Sequence, residues 1–373
     1  MKRNPMNIVI AVNRRYVRYS YIMLTSLLLN NPDPVDVYVL HCDLTAEDEL
    51  IFSRLSESYP VTFHYCRLTE ELLPPSDVRA SNSWGIETYF RLAILDALPG
   101  STDRALYIDS DMIINRSLED FYYCDLQGKR LAACRDFICK APFGDYRDDT
   151  FRDVIPEGFT YFNAGITLFD LSALRGEYNF NRYMDTVREL NYKIQFPDQD
   201  LLNYCHRNDV LFFDSMQYNL YARRAYTDKG LHYEDVKQNT TVIHYATAKP
   251  WQGNFLHCDI EQLWWDYASK TPFYHEIMED TMREIMMDST VNTYVSELQQ
   301  ENALYLIVLT HTGKLMFPNA VQPLNKPDEI QSKLSGSFTV LRPVQFSKAL
   351  PLTALTPSGI VISVKAMHPE KAS

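Results

Sequence analysis

The chain has 373 residues, of which 46% are hydrophobic and 23% charged, with a formal net charge of −12. That composition is ordinary for a globular protein, excludes disorder and collagen-like repetition, and leaves nucleic acid without the basic surface that counterion release requires. Seven cysteines, odd in number and without a CxxC pair, argue against a disulfide framework or zinc knuckle and fit a reducing compartment.

The first apolar run, Ile8 to Val12, is cut short by Asn13, Arg14, Arg15 and Arg18, far too early for a secretion signal. No run approaches the ~18 uninterrupted apolar residues of a membrane span, so the expectation is a cytoplasmic protein with at most peripheral association at the inner membrane face. Asn7 to Val12 predicts a strand, Tyr19 to Leu29 a helix and Val35 to Leu40 a second strand. A helix from about Thr45 to Ser58 follows, with Thr45, Asp48 and Glu49 suited to its cap and dipole, then a strand at Val61 to Tyr65. Beyond a loop at Pro74 and Pro75, Glu87 to Leu98 reads as a helix and Arg104 to Ile108 as a strand. Tyr161 to Leu171 predicts another strand, Asp170 to about Leu190 a helix, Phe196 onward the next helix, and Thr241 to Tyr245 a short strand. This alternation implies an α/β fold with a mainly parallel central sheet.

From Phe273 a helix is expected to about Gln300, followed by alternating strands within 303–317 and 338–364. From Glu301 onward seven Lys and Arg face four Asp and Glu, so the tail is mildly basic while the rest of the chain is strongly acidic. Two segments, Val308 to Leu315 and Thr353 to Ile360, suggest a weak internal repeat. The expected division is a catalytic domain over 1–280 and a helix with a small β-rich module over 281–373.

In an open α/β sheet ligands sit beyond the carboxyl ends of the strands, which is where Asp109 and Asp111 stand in Leu106-Tyr-Ile-Asp-Ser-Asp111. Two residues apart on an extended chain, both carboxylates face one side, about 6 to 7 Å apart at Cα, and can share a hard divalent cation that bridges to a diphosphate. His244, at the end of another strand, adds an imidazole, and a histidine beside two carboxylates favours Mn²⁺ over Mg²⁺. Five residues on, Lys249 offers a cation for the phosphates.

These residues fall in an ordered series: Ile8-Val-Ile-Ala-Val12 with Tyr16, Thr88-Tyr-Phe-Arg-Leu92, Leu106 to Asp111, Phe162-Asn-Ala-Gly165, Asp198-Gln-Asp200, and His244-Tyr245 with Lys249-Pro-Trp251. The series resembles the family 8 retaining glycosyltransferases, which include glycogenin and bacterial lipopolysaccharide and lipooligosaccharide galactosyl- and glucosyltransferases, and the likeness covers about residues 7 to 275. It implies a GT-A, Rossmann-like domain that binds UDP-galactose or UDP-glucose and transfers the hexose to a saccharide acceptor on a lipid or protein. It also implies Mn²⁺, with Mg²⁺ the alternative, held by Asp109, Asp111 and His244.

By the same resemblance Ala11, Asn13 and Tyr16 lie at the nucleoside, and Ser110 is among the donor-binding residues. Arg91, Asn163, Ala164, Asp198 and Gln199 contact the donor sugar, Asp198 and Gln199 being the catalytic pair, and Lys249 meets the pyrophosphate. A front-face route is implied, with Gln199 an electrostatic neighbour of the sugar rather than a nucleophile. Two positions depart from the pattern: an amide, Asn13, stands where an acid is common, and the phosphate motif is shortened to His244-Tyr-Ala-Thr-Ala-Lys249. Two other readings compete. A nucleotide-sugar pyrophosphorylase would open on a Gly- and Arg-rich loop, whereas no glycine follows Val12 until Gly85. A carbohydrate-binding or scaffold protein with a decayed transferase site is opposed by the intact Asp109, Asp111, Asp198, Gln199 and His244.

Overall fold

In the computed structural model, which describes residues 4–81, 84–137, 160–194, 196–253 and 258–287 and four short strands between 308 and 364, the apolar runs form ten strands among the described residues up to 247. They are β1 (Met6–Ala11), β2 (Val35–His41), β3 (Val61–Arg67), β4 (Arg104–Ile108), β5 (Met112–Ile114), β6 (Leu131–Arg135), β7 (Phe162–Asp170), β8 (Val210–Phe213), β9 (Leu220–Tyr221) and β10 (Val242–His244). Seven make one sheet in the order β3-β2-β1-β4-β7-β6-β8. β1, β2, β3 and β4 run parallel, as do β6 and β8, while β7 is antiparallel to both β4 and β6. The expected mainly parallel α/β sheet is therefore present, with a single reversed strand at its centre. Eight of the nine β7 residues are buried, as covered faces require of a central strand. The remaining three strands form a second sheet in the order β5-β10-β9.

The helices follow local signals with informative exceptions. Thr45 caps the helix Ala46–Ser53 in a capping box with Asp48, as its sequence predicts, but the last turn tightens into a 3₁₀ segment at Arg54–Glu57. The expected helix at Glu87 to Leu98 is a 3₁₀ helix over Ile86–Ala93, and only Ile94–Ala97 is α-helical. A 3₁₀ run of eight residues is unusually long; it carries Arg91 to the carboxyl end of β4. The expected helix from Asp170 to Leu190 divides into Leu171–Leu174 and Phe180–Glu189. Gly176 breaks it at φ 92, and Asn179 restarts it by accepting the Arg182 N–H. Strands β6 and β8 have no counterpart among the expected elements.

The chain divides into two compact units, Met1–Thr247 and Ala248–Ser373. In the second, Trp264 and Trp265 of the helix Gln262–Ala268 are buried, and Trp251 packs on Trp264 with ring centroids 4.9 Å apart. A helix Tyr274–Met287 follows; the expected continuation to Gln300 lies outside the described residues. Of the expected tail strands, β11 (Val308–Leu309) pairs antiparallel with β12 (Leu315–Met316), and β13 (Leu352–Leu355) with β14 (Val361–Val364). The rest of the tail lies outside the described residues. Among those described, no helix is long and apolar enough to cross a membrane.

One core group ties stability to pH. His206 is fully buried, its Nε2 2.8 Å from the Tyr183 hydroxyl, and burial, aided by the Arg130 charge, lowers its pKa from 6.5 to about 3. The unfolded chain therefore binds the extra proton between those values, so stability falls as pH drops below about 6.5, by about 2 kcal/mol at pH 5. Thermal melts should show Tm falling from pH 7 to pH 5, and His206→Gln should flatten that dependence. An unchanged slope in the variant would contradict a neutral buried His206.

Candidate active site

The reversed strand explains how distant motifs meet. Because β7 runs against β4, its first residues lie beside the carboxyl end of β4: Ile108 is opposite Ile166, and the Asp109 N–H donates to the Gly165 carbonyl at 2.8 Å. On the other flank Cys134 of β6 is opposite Asn163, which brings Asp136 to the same edge. His244 arrives through the second sheet. β5 continues from Asp111, β10 pairs antiparallel with it, His244 lies opposite Met112, and the Tyr245 N–H donates to the Asp111 carbonyl at 3.0 Å.

One ligand atom each of Asp109, Asp111 and His244 lies within 4.8 Å of the others. His244 Nε2 is 3.4 Å from Asp111 Oδ1, and Nδ1 is 2.8 Å from Asn219 Oδ1. Asn219 uses its amide nitrogen as donor to Asn163 Oδ1 at 3.0 Å, so its oxygen is the acceptor facing the imidazole. Nδ1 of His244 then carries the proton and Nε2 turns its lone pair toward the carboxylates, as a metal ligand must. Two oxygens and one imidazole nitrogen suit a divalent cation of the Mn²⁺ or Mg²⁺ kind. Gly165 leaves room for this cluster: a Cβ there would stand 2.7 Å from Asp109 Oδ2 and 2.8 Å from His244 Cε1 and Met112 Cε.

Arg91 ties the cluster to Asp198 and Ala164. It is 8% exposed; its Nη2 is 2.8 Å from Asp109 Oδ1, its Nε 2.7 Å from Asp198 Oδ2, and its Nη1 donates to the Ala164 carbonyl at 2.7 Å. The guanidinium lies over the Tyr107 ring, 4.2 Å from its centroid, and the Tyr107 hydroxyl donates to Asp109 Oδ1 at 2.9 Å. Burial alone would lower the Arg91 pKa, but Asp109 and Asp198 outweigh it and raise it. Asp198 moves the other way for an ion-paired acid. Burial raises its pKa to about 6 against the pull of Arg91, and the nearby Asp109 charge adds to the rise.

Gln199 is held at both ends of its amide. Its Oε1 accepts from the Ala164 N–H at 3.0 Å and from Asn163 Nδ2 at 2.8 Å, while its Nε2 donates to Asp136 Oδ2 at 3.2 Å. Asp200 turns away, as helical spacing predicts: its oxygens accept from the Tyr161 hydroxyl at 2.6 Å and the Phe196 N–H at 3.0 Å. The network runs on, since Asp136 also accepts from the Tyr221 hydroxyl at 2.9 Å and the Tyr221 ring meets His244 edge-on at 5.1 Å. Asp136, Asn219 and Tyr221 are thus site residues that no motif announced.

The structure brings together Arg91, Asp109, Asp111, Asn163, Ala164, Asp198, Gln199 and His244. Ala11 ends β1, and Asn13 follows it with its oxygen accepting the Tyr16 N–H at 3.2 Å. Tyr16 is 37% exposed and meets Tyr19 edge-on. The Ser110 hydroxyl is buried against that of Ser20 at 2.7 Å, so the side chain faces the first helix, Val17–Asn30. Lys249 belongs to the second unit, where its N–H donates to Gln252 Oε1 at 3.0 Å.

The model of glycosyl transferase family 8 matches residues 7–254. A putative glycosyltransferase of Haemophilus influenzae is 26% identical over 290 residues, covering 73% of this chain and 86% of that protein. The lipopolysaccharide 1,3-galactosyltransferase of Salmonella typhimurium is 24% identical over 277 residues, covering 72% of this chain and 79% of its own. Among solved structures, the galactosyltransferase LgtC in complex with donor and acceptor sugar analogs has a TM-score of 0.57 at 24% identity, covering 72% of this chain and 96% of that one. The shared fold is the GT-A fold expected from the sequence.

The close approach at Gly165 gives a direct test. Gly165→Ala should lower divalent-cation affinity, read by titration calorimetry, by a factor on the order of 10 or more through displaced ligands, with far-UV circular dichroism unchanged. Wild-type affinity in the variant would contradict the packing of Asp109 and His244 against this backbone.

Proposed function

Since the chain belongs to glycosyl transferase family 8, we propose that it is a retaining hexosyltransferase that moves galactose or glucose from UDP-galactose or UDP-glucose to a saccharide acceptor on a lipid or protein. The observation that carries the reading is the convergence of Asp109, Asp111 and His244 on one point, joined through Arg91 to Asp198. The Salmonella relative, named for galactosyl transfer to lipopolysaccharide, supports galactose as the donor sugar and a glycolipid as the acceptor carrier. We place the activity in the cytoplasm, with at most peripheral contact with the inner membrane face. We assign catalysis to residues 1–280 and treat 281–373 as an add-on. Family membership sets aside the pyrophosphorylase reading.

The donor set fits a divalent cation, Mn²⁺ ahead of Mg²⁺ because one ligand is an imidazole. When bound, the cation supplies positive charge against the negative charge that builds on a departing diphosphate. The chain's own residues supply orientation. Arg91, anchored on the Ala164 carbonyl, holds Asp109 and Asp198 in register with each other. Asp198 accepts hydrogen bonds from sugar hydroxyls and so sets the donor's angle of presentation. Gln199 is an amide and a poor nucleophile, so its dipole acts as an electrostatic neighbour of a sugar ring that becomes positive. In the front-face route the acceptor oxygen bonds to the anomeric carbon on the side from which the diphosphate departs, and the acceptor proton passes to the departing phosphate oxygen.

Donor hydrolysis without acceptor is the simplest assay. Chelation or Asp111→Asn should abolish it with the fold intact, Asp109→Asn should abolish it and also lower Tm by uncoupling the buried Arg91, and full turnover in chelated protein would overturn the metal assignment. Asp198→Asn should lower turnover by a factor on the order of 10² through lost positioning. Turnover in wild type should also decline as pH falls through about 6, where Asp198 takes up its proton, and the variant should lack that limb. Intact-mass spectra during turnover should show unmodified enzyme; one hexosyl unit mapped to Asp198 would replace the front-face route by double displacement.

A further inference from the structure

The carboxyl end of β1 carries a feature that hexosyl transfer as derived from the cation cluster leaves unused. Asn13 donates its amide Nδ2 to Glu87 Oε1 at 2.9 Å while its oxygen accepts the Tyr16 N–H. Glu87 lies in the Ile86–Ala93 segment, one turn ahead of Arg91, and is half-buried. Its carboxylate is folded back over Gly85, where a Cβ would come within 2.6 Å of Oε2. A glycine at 85 thus leaves space for one orientation of one carboxylate, and Asn13 holds that orientation from across the strand end.

The position of this pair relative to the cation ligands limits what it can meet. In the order β2-β1-β4, the chain leaves β1 toward β2, while β4 lies on β1's other side; the crevice where ligands sit in such sheets opens at that reversal. Asp109 stands at the β4 side of the crevice and Asn13 at the β1 side. Adjacent strands are about 4.8 Å apart, so a nucleoside diphosphate held through a cation at Asp109 and Asp111 would, on extending across the crevice, bring its nucleobase one or two strand spacings away, to the side of Asn13 and Glu87.

We propose that Glu87, oriented by Asn13, is the residue that selects uracil in the donor. The inference rests on the proposed UDP-sugar donor. Asn13 Nδ2 has two hydrogens, one given to Glu87 and one left to donate, so the pair presents a donor beside an anionic acceptor. Uracil offers the complement: its N3–H donates to the Glu87 carboxylate while its O4 accepts from Asn13. Cytosine turns an N3 lone pair toward the same carboxylate, so rejection comes from repulsion as well as from a lost bond.

The test is calorimetric titration of UDP and CDP with Mn²⁺ into the wild-type chain and into Glu87→Gln, which replaces one acceptor oxygen by a donor of the same shape. Wild type should prefer UDP over CDP by about 10- to 100-fold, the usual worth of a matched base edge. Glu87→Gln should weaken UDP by about tenfold or more and bring the two nucleotides within a few-fold of each other, because the new amide can donate to cytosine N3. Gly85→Ala, which displaces the carboxylate without touching its chemistry, should also erode the preference. Mn²⁺ affinity should stay at the wild-type value in both variants. A UDP to CDP ratio in Glu87→Gln equal to that of wild type would overturn the assignment of Glu87 while leaving the donor reading intact. Wild-type protein that binds no UDP would overturn both.

Discussion

A single buried cation, the guanidinium of Arg91, holds the site together. Its carboxylate partners come from the end of β4 and the start of the helix Pro197–His206, its carbonyl partner from β7, and its aromatic support from Tyr107. A charge removed from water is tolerated only when its partners satisfy it, and breaking such a set by deleting one member costs on the order of 3–5 kcal/mol. Lysine is not an equivalent replacement, since its compact ammonium lacks the spread of Nε, Nη1 and Nη2 that here meet three separate partners. Arg91 therefore makes Asp109 and Asp198 parts of one electrostatic unit: Asp109 is placed by it, and Asp198 is kept in a buried position that raises its pKa to about 6.

Around that unit runs a chain of hydrogen bonds from His244 through Asn219 and Asn163 to Gln199 and the Asp136 carboxylate. Each amide has its two ends assigned by its neighbours. Asn219 must present oxygen to His244 because its nitrogen is committed to Asn163. Such outer partners set tautomer and ring orientation in metal sites generally. In this chain they also join the cluster of Asp109, Asp111 and His244 to the Gln199 amide, so a disturbance at Asn219 or Asp136 should be felt at both.

Much of this was legible from the chain. Strand-end carboxylates at 109 and 111 and the histidine at 244 announce themselves through local position, the Asn163-Ala-Gly165 run and the acid and amide at 198 and 199 only through their resemblance to a family's ordered motifs, and the alternation of apolar runs and amphipathic stretches gives the sheet. What local spacing does not carry is pairing between strands. The reversal of β7 depends on which strands lie beside it, not on its own residues, and that reversal alone places its beginning rather than its end at the site. β6 (Leu-Ala-Ala-Cys-Arg) and β8 (Val-Leu-Phe-Phe) lack the strong β-branched signature, so Asp136 is hidden with them. His244 reaches Asp111 through a separate three-stranded sheet whose register no sequence window spans. The expected helices at 87–98 and 170–190 mislead for a related reason. Periodicity over so few residues does not distinguish α from 3₁₀ winding, although Gly176 and Asn179 mark the second break plainly.

The central claim is that this arrangement transfers a hexose with retention at the anomeric carbon. Proton NMR of the sugar released from UDP-galactose or UDP-glucose in the absence of acceptor, recorded before mutarotation, reads that outcome directly. The α-linked donor should yield α-hexose first. Initial release of β-hexose would mean attack from the opposite face and would contradict a retaining, front-face site built on Asp109, Asp111, His244 and Gln199.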